Sequence, residues 1–254
     1  MDWAFDFYTK QYEWAGWPEE WAATGLEDTI AAVKPRVEAV NRLAGRAPKR
    51  ILELGAGSGS TSAALAAAGH DVVAVELVDA CVKSIRRLAD EVEGGSLQVV
   101  AGDFFTADLE GSFDIVCYFD GFGVGSDDDQ GRLLRRIRGW LSPGGCALID
   151  VFAPWYWARV AGTTEEFPMG SGIYYEEGFE AESCRMLERM WRDGEERNAL
   201  TQSLRCYSPA DLRLLLMNIG LALTSIEPYG DETYARAVPL LDAMLYLGKF
   251  EHSS

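Results

Sequence analysis

Apolar and polar positions divide the chain into a helical beginning, a long alternation of strands and helices, a less regular segment and a regular end. In residues 1–49 aromatic and aliphatic side chains recur at helical spacing, and Pro35 predicts a helix start or a kink. From Arg50 onward short apolar runs alternate with amphipathic stretches, a pattern typical of a parallel sheet covered on both faces. The predicted strands are 51–54, 72–75, 97–100, 115–119 and 146–152, with helices at 61–68, 82–92 and around 133–140.

The alternation stops after the fifth predicted strand. Residues 154–206 are rich in aromatic and charged side chains without a clear helical period, which predicts irregular or antiparallel structure. Regularity returns at Ser208, where a following proline and Asp211 predict a capped helix. Two last strands are predicted at 221–226 and 243–250. We therefore expect a doubly wound α/β fold with a mostly parallel seven-stranded sheet, helices on both faces, an N-terminal helical lid and an insertion after the fifth strand.

Charge and cysteine content narrow the classes of partner and compartment. The chain has a net charge of −17. Because nucleic-acid binders neutralise phosphates with basic side chains, neither a nucleic acid nor an anionic membrane is expected as the main partner. The five cysteines show no C-x-x-C spacing, and neither a signal peptide nor a membrane-spanning run is visible. A cytoplasmic protein is expected.

A glycine-rich turn follows the first predicted strand, in the order Glu53-Leu54-Gly55-Ala56-Gly57-Ser58-Gly59. Glycines at this place permit a tight turn and let the backbone approach a ligand beyond the carboxyl end of the strand. A dinucleotide-binding turn would need glycine at position 60, where the chain has Ser60. The strand–turn–helix context favours a ligand loop over a plain structural turn.

Acidic residues follow the next two predicted strands. Glu76 ends the second strand, where an acidic side chain can accept hydrogen bonds from ribose hydroxyls. Asp103 and Phe104 follow the third strand, where a carboxylate can accept from an exocyclic amine and a ring can cover a base. Each residue alone could equally be a solvated loop residue. Beside the glycine turn, the ligand role is favoured.

Together these residues resemble the class I S-adenosylmethionine-dependent methyltransferase family of the small-molecule type. The resemblance runs from about Arg50 to Phe152 and resumes from Ser208 to Phe250. It implies an enzyme that transfers the methyl group of S-adenosylmethionine to a nitrogen, oxygen or carbon of a small molecule by in-line displacement. The implied single domain comprises a helical lid (1–49), a cofactor-binding core (50–152), a substrate-side insertion (153–207) and the last helix and strands (208–254).

The residues that the resemblance implies for cofactor binding follow the carboxyl ends of four strands. They are Glu53, Gly55, Ala56, Gly57, Gly59, Glu76, Leu77, Asp103, Phe104 and Phe119. The glycines would lie under the methionine part, with Glu53 near its amino group. Glu76 would hold both ribose hydroxyls, Leu77 would pack on adenine, and Asp103 would accept the adenine amino hydrogens.

Two aromatic segments lie outside the predicted sheet and its helices. In the first, Tyr8, Tyr12 and Trp14 are candidates for a lid that closes over the cofactor. The second segment would wall the acceptor site and suit an apolar or cationic substrate. Its candidate residues are Trp155, Tyr156, Trp157, Tyr174 and Tyr175. Ordinary packing remains the alternative for both sets.

Catalytic candidates are few, and the need for a base depends on the acceptor. Neither His70 nor His252 is expected near the strand ends. Asp120 is the best-placed carboxylate and Tyr12 the best-placed hydroxyl, although Asp120 could instead anchor the cofactor or its loop. No metal is expected, because the acidic run 127–129 is typical of a helix start. Further possible groups are Tyr174, Glu176 and Glu177.

Two other functions stay open from the sequence. A nicotinamide-dependent oxidoreductase is disfavoured by Ser60 and by the absence of room for a separate catalytic domain. A protein of the methyltransferase fold could also bind the cofactor and catalyse a cyclisation, or serve as a binding module.

Overall fold

The larger of two sheets forms the centre of the fold. The computed structural model describes residues 2–46 and 48–253. Their strands are β1 (Arg50–Leu54), β2 (Asp71–Glu76), β3 (Ser96–Ala101), β4 (Phe113–Tyr118), β5 (Leu141–Phe152), β6 (Thr164–Glu166), β7 (Ile173–Glu180), β8 (Arg185–Arg192), β9 (Leu200–Arg205), β10 (Leu221–Tyr229) and β11 (Leu245–His252). The larger sheet has the order β10-β11-β5-β4-β1-β2-β3, in which β1 to β5 are parallel and β11 is antiparallel to both neighbours. The mostly parallel seven-stranded sheet is therefore confirmed.

Helices cover both faces of this sheet, as the sequence predicts. They are α1 (Asp2–Trp14), α2 (Trp17–Ala23), α3 (Leu26–Ala32), α4 (Lys34–Ala44), α5 (Ser60–Ala67), α6 (Asp79–Glu91), α7 (Asp127–Trp140), α8 (Pro154–Val160) and α9 (Pro209–Leu215). Helices α4, α5 and α6 bury Val40, Leu65 and Ile85 on one face, and α7 and α9 bury Leu133 and Leu212 on the other. No helix in the described residues is long and apolar enough to cross a membrane.

The turn after β1 depends on glycine. Gly55, Gly57 and Gly59 have positive φ angles of 61°, 55° and 84°. A side-chain carbon at Gly59 would lie 2.5 Å from Cγ1 of Ile85 on α6. Because an L side chain is strained at such angles and would clash here, glycine lets the turn pack closely against the neighbouring helix. The turn is thereby held beside the carboxyl end of β1.

Prolines mark the starts of four helices. Pro18, Pro35, Pro154 and Pro209 lie at the first or second position of α2, α4, α8 and α9. Pro35 therefore begins a helix and does not kink one. Helix α8 was not expected from the sequence, because seven residues are too few to show a helical period. The ring of Pro154 presets the backbone angle of the first turn.

The rest of the insertion is the antiparallel structure that was one of the two expectations. Strands β6 to β9 form a four-stranded sheet in chain order. Helix α1 packs on this smaller sheet, because Phe7 is buried with Ile173, Tyr175 and Met190. The Tyr8 hydroxyl donates a hydrogen bond to Gln202 Oε1 at 3.1 Å. The N-terminal helix and the insertion are thus joined above the carboxyl ends of the parallel strands.

The capping residues of α9 provide a test of local stability. The Ser208 hydroxyl accepts from the Asp211 backbone N–H at 3.2 Å, and the Asp211 carboxylate accepts from the Ser208 backbone N–H at 2.9 Å. Ser208→Ala removes one acceptor for a helix-terminal N–H and should lower the unfolding free energy by about 1 kcal/mol. Urea unfolding measures the change. Ser253→Ala, at an exposed position, is the matched control, and an equal effect of the two variants would contradict the capping role.

Candidate active site

Three cavities meet at the carboxyl ends of β1, β2 and β4. The strand-end cavity, between α1 and the loops after β2 and β3, has a volume of about 120 Å³. The glycine-loop cavity, beside the turn after β1, has about 410 Å³. The acidic chamber, between α1, α8 and the smaller sheet, has about 590 Å³. Among the described residues, only Tyr12 and Asp120 line all three cavities. The two groups selected from sequence as catalytic candidates therefore stand at the junction.

Glu76 organises the border between the glycine turn and the strand-end cavity. Its Oε2 accepts from the Gly57 N–H at 2.8 Å, and its Oε1 accepts from the N–H groups of Leu77 and Val78, each at 2.8 Å. A carboxylate offers about four acceptor positions, so one on Oε2 remains free. Burial raises the pKa of Glu76, and the three backbone donors oppose that rise. The carboxylate is therefore built into the loop as well as exposed to the cavity.

Aromatic side chains form the other wall of the strand-end cavity. Phe104 packs against Tyr118 at a centroid distance of 5.1 Å, and Tyr118 donates to the Gly121 carbonyl at 2.7 Å. Asp103 Oδ1 accepts from the Phe105 backbone N–H at 2.8 Å, and the residue lines the cavity. Leu77 lies at the cavity mouth and is 40% exposed. An apolar cavity with a carboxylate at its edge has the polarity that a purine ring requires.

A cation in the glycine-loop cavity was missed by the sequence analysis. Arg36 of α4 lies 5.1 Å from the ring centroids of both Phe119 and Tyr234, and donates to the Glu232 carbonyl at 2.7 Å. Burial disfavours its charge, but Tyr234, Asp150 and the other acidic groups outweigh burial and raise the pKa of Arg36. In the sequence Arg36 has the spacing of any helical surface residue. No motif distinguished it.

Buried carboxyls surround this arginine. Glu53 accepts a hydrogen bond from the Ser62 hydroxyl, and burial raises its pKa to about 7 although Ser62 and Arg36 oppose the rise. Asp150 accepts from the Tyr234 hydroxyl and, at 3.3 Å, from the Asp120 backbone N–H. Burial raises the pKa of Asp150 to about 6, with Arg36 opposing the rise. Arg36 is thus shared among several acids.

Asp120, which lies at the junction of the three cavities, has an unusual backbone φ angle. Its φ of 52° is in the left-handed region, where aspartate is tolerated better than most side chains. The side chain is exposed where it lines the three cavities, although protein atoms lie around it. Desolvation, followed by the charge of Glu232, raises its pKa to about 7, while Arg36 opposes the rise. Asp120 can therefore gain or lose a proton near neutral pH.

The acidic chamber takes its name from its lining. Six carboxylates line it, together with aromatic side chains from α1, α8 and β7. The acids are Asp120, Glu165, Glu177, Glu188, Asp231 and Glu232. In the part of the chain that the structure describes, no lysine, arginine or histidine lines this chamber. Tyr156, Trp157 and Tyr175, three of the five predicted acceptor-wall residues, do line it.

Some candidate residues lie away from the cavities. Gly59 is buried and caps α5, so it shapes the turn and does not line these cavities. Trp14 packs beside Phe7, and the guanidinium of Arg192 lies 5.1 Å from the centroid of the Trp14 ring. Trp14 is therefore on the face of α1 that packs against the smaller sheet. Tyr174 stacks on Trp191 on the outer face of that sheet.

Other predicted positions follow the placement of their elements. Trp155, on α8, is absent from the lining of the chamber, which its neighbours Tyr156 and Trp157 reach. Glu176 forms an ion pair with Arg189 and lies outside the chamber, whereas Glu177 is inside. His70 is fully buried after α5, and His252 is exposed at the end of β11. The described residues hold no group of side chains suited to a metal ion.

Comparison with known proteins identifies the family. A sequence model of the methyltransferase domain family matches residues 28–226. The chain belongs to this family. The cypemycin N-terminal methyltransferase of a Streptomyces species is 33% identical to this chain over 126 residues. These residues cover 48% of this chain and 50% of that protein. The match thus spans about half the length of this curated relative.

Solved structures share the fold of the methyltransferase. The CcbJ methyltransferase from Streptomyces caelestis has a TM-score of 0.71 at 22% identity, with 87% of this chain and 89% of that chain covered. The glycopeptide N-methyltransferase MtfA in complex with S-adenosyl-L-homocysteine has a TM-score of 0.59 at 18% identity, with 86% and 89% covered. The chain therefore contains a methyltransferase domain, and S-adenosylmethionine remains the cofactor that the sequence motifs imply.

Proposed function

We propose that this methyltransferase methylates an amine nitrogen of a small molecule. The lining of the acidic chamber carries the proposal: six carboxylates and several aromatic rings, with no basic side chain among the described lining residues. Carboxylates and aromatic faces both stabilise an ammonium group. The same lining repels an acceptor that is a carboxylate or a phenolate. The names of two similar proteins, an N-terminal and a glycopeptide N-methyltransferase, agree with a nitrogen acceptor.

The two other cavities are assigned to the cofactor. We assign its adenosine part to the strand-end cavity, where Glu76 offers a free acceptor position and Asp103 and Phe104 border the slot. Its methionine part is assigned to the glycine-loop cavity, with Arg36 toward the carboxylate and Glu53 toward the amino group. An amino acid carries both charges, and this cavity has a half-buried cation and a buried carboxyl group as their partners. The bound cofactor supplies an electrophilic methyl group on sulfur.

The residues at the junction position the acceptor. Tyr12 and Asp120 line the acidic chamber and both cofactor cavities, so the acceptor nitrogen is assigned to the space between them. A neutral amine is already nucleophilic, and holding it in line can supply much of the acceleration. The Asp120 carboxylate stabilises the positive charge that develops on nitrogen. Helix α1 contributes Tyr8 and Tyr12 to this lining, and we assign it the role of limiting the access of water.

A panel of methyl acceptors tests the proposal. Small primary and secondary amines, each with a matched alcohol or phenol and a matched carboxylic acid, are incubated with enzyme and S-adenosylmethionine labelled in its methyl group. The amines should take up label at least about tenfold faster than their matched analogues, because only they complement the charge of the chamber. Label on hydroxyl or carboxyl acceptors with none on amines contradicts the assignment.

A further inference from the structure

Two glutamates of the acidic chamber face each other on neighbouring strands. Glu177 of β7 is paired in register with Glu188 of β8 in an antiparallel ladder. Residues paired in this way have their Cβ atoms about 4.5–5.5 Å apart on the same face of a sheet. Both line the chamber, so the shared face is the inner one. Like charges placed directly opposite each other destabilise a sheet.

The adjacent pair on the same two strands joins two opposite charges. Glu176 is in register with Arg189 and forms an ion pair with it on the outer face. On the outer face of this strand pair a glutamate therefore lies opposite an arginine. On the inner face a glutamate lies opposite another glutamate. The missing counter-charge is confined to the side where an acceptor would enter.

Polar groups around the pair also lack partners. Glu177 Oε2 and Trp157 Nε1 are buried and have no hydrogen-bond partner among the described residues. Tyr175 and Trp157 are only 6% and 4% exposed, and both line the chamber. Buried polar groups without partners are costly, so the cluster is suited to a bound polar ligand.

Glu188 is held in place by hydrogen bonds that lead to helix α1. Gln202 of β9 lies in register with Glu188 and donates to its Oε1 at 3.0 Å, while its own Oε1 accepts from the Tyr8 hydroxyl at 3.1 Å. The row Glu177–Glu188–Gln202–Tyr8 thus runs from the insertion to α1. Tyr8 also lines the strand-end cavity, so the row leads toward the junction.

We propose that Glu177 and Glu188 form the site that captures the acceptor as an ammonium ion and takes one proton from it before methyl transfer. This inference rests on the proposed amine methylation. The nitrogen of R–NH₃⁺ has no lone pair, so one N–H bond must break first. The proton passes to a carboxylate oxygen of the pair, leaving R–NH₂ and a neutral carboxyl group. The free amine then moves to the junction, where its lone pair forms the new N–C bond as the S–C bond to the methyl group breaks and the electron pair of that bond stays on sulfur. The products are R–NH₂–CH₃⁺ and S-adenosylhomocysteine, and the neutral carboxyl group of the pair returns its proton to water.

The protonation behaviour of the pair supports this role. Burial, followed by the charge of Glu177, raises the pKa of Glu188 to about 8, with Gln202 opposing the rise. Burial and the charge of Glu165 raise the pKa of Glu177 to about 7. A pair in this range can hold or release one proton near neutral pH. The other titratable groups that face it are Tyr8, Asp120, Tyr156, Glu165, Tyr175 and Glu232.

Binding of a cation that cannot be methylated tests the site without turnover. The probe is benzyltrimethylammonium, measured by calorimetry with S-adenosylhomocysteine present, and benzyl alcohol is the neutral comparison. Glu177→Gln and Glu188→Gln should each weaken cation binding at least tenfold and leave benzyl alcohol within threefold. Glu182→Gln, an exposed residue of the same hairpin, should bind like wild type. Thermal midpoints confirm that each variant is folded.

The pH dependence gives the second readout. Because the probe keeps its charge at every pH, any change in its affinity belongs to the protein. Wild type should bind it more tightly from pH 6 to pH 9 as the pair ionises, and both glutamine variants should show a flatter profile. No saturable binding to wild type, or wild-type binding by both variants, overturns the proposal. If cation binding depends on the pair but no amine is methylated, the proposed function fails while the cation site stands.

Discussion

Glu76→Ala is expected to weaken binding of S-adenosylhomocysteine by roughly 10–150-fold. The carboxylate has one free acceptor position, on Oε2. A hydrogen bond from a ribose hydroxyl to this charged acceptor contributes about 1.5–3 kcal/mol, and about 1.4 kcal/mol is a factor of ten in affinity. The structure adds a second effect, since the same carboxylate accepts from the N–H groups of Gly57, Leu77 and Val78. The variant should therefore also lower the unfolding free energy by about 1–3 kcal/mol.

Calorimetry and urea unfolding separate these two effects. Asp71→Ala is the matched control, because Asp71 lies at the opposite end of β2 and its carboxylate is exposed. The control should bind the cofactor product as wild type does. A Glu76 variant that loses stability but keeps its affinity would show that the carboxylate only orders the glycine turn. The assignment to ribose would then be wrong.

The parallel sheet could be predicted from the sequence because its strands carry local signals. Runs such as Ile51–Leu54 are buried on both faces and end at glycine or an acidic residue. The residues that indicate the strand and those that indicate its turn are therefore neighbours in the sequence. The capped start of α9 is equally local, since Ser208 and Asp211 bond each other's backbone. The core of the fold follows from short-range patterns of this kind.

The acidic chamber could not be predicted in the same way, because it depends on register between distant residues. Nothing in the sequence near Glu177 indicates that Glu188 lies opposite it, and shifting the register by one residue would turn either side chain to the other face. Glu176 and Glu177 looked equivalent in the sequence, yet only Glu177 enters the chamber. Arg36 is a similar case, because its acidic partners come from β1, the loop after β4, and β5.

The positive charge of Arg36 leads to the last prediction. Arg36 is the basic residue that lines the glycine-loop cavity in the described part of the chain, and its neighbours there include Glu53, Gly57 and Asp120. If it binds the carboxylate of the methionine part, Arg36→Met should weaken binding of S-adenosylhomocysteine by roughly 10–150-fold, the loss of one charged hydrogen bond of about 1.5–3 kcal/mol. The unfolding free energy should also fall, because the buried carboxyls lose their shared cation.

A truncated ligand distinguishes direct contact from general damage. 5′-Methylthioadenosine has the adenosine part and the sulfur but lacks the amino-acid group, so Arg36→Met should change its affinity less than about threefold if only the carboxylate contact is lost. Arg42→Met serves as the control, because Arg42 lies on the same helix and pairs with Glu227 on the exposed side. Calorimetry with both ligands on wild type and the two variants measures the six affinities. An equal loss for the two ligands would mean that Arg36 acts by holding Asp150, Asp120 and Phe119 in place. A loss confined to the longer ligand assigns the methionine carboxylate to this arginine, because only that ligand carries the group.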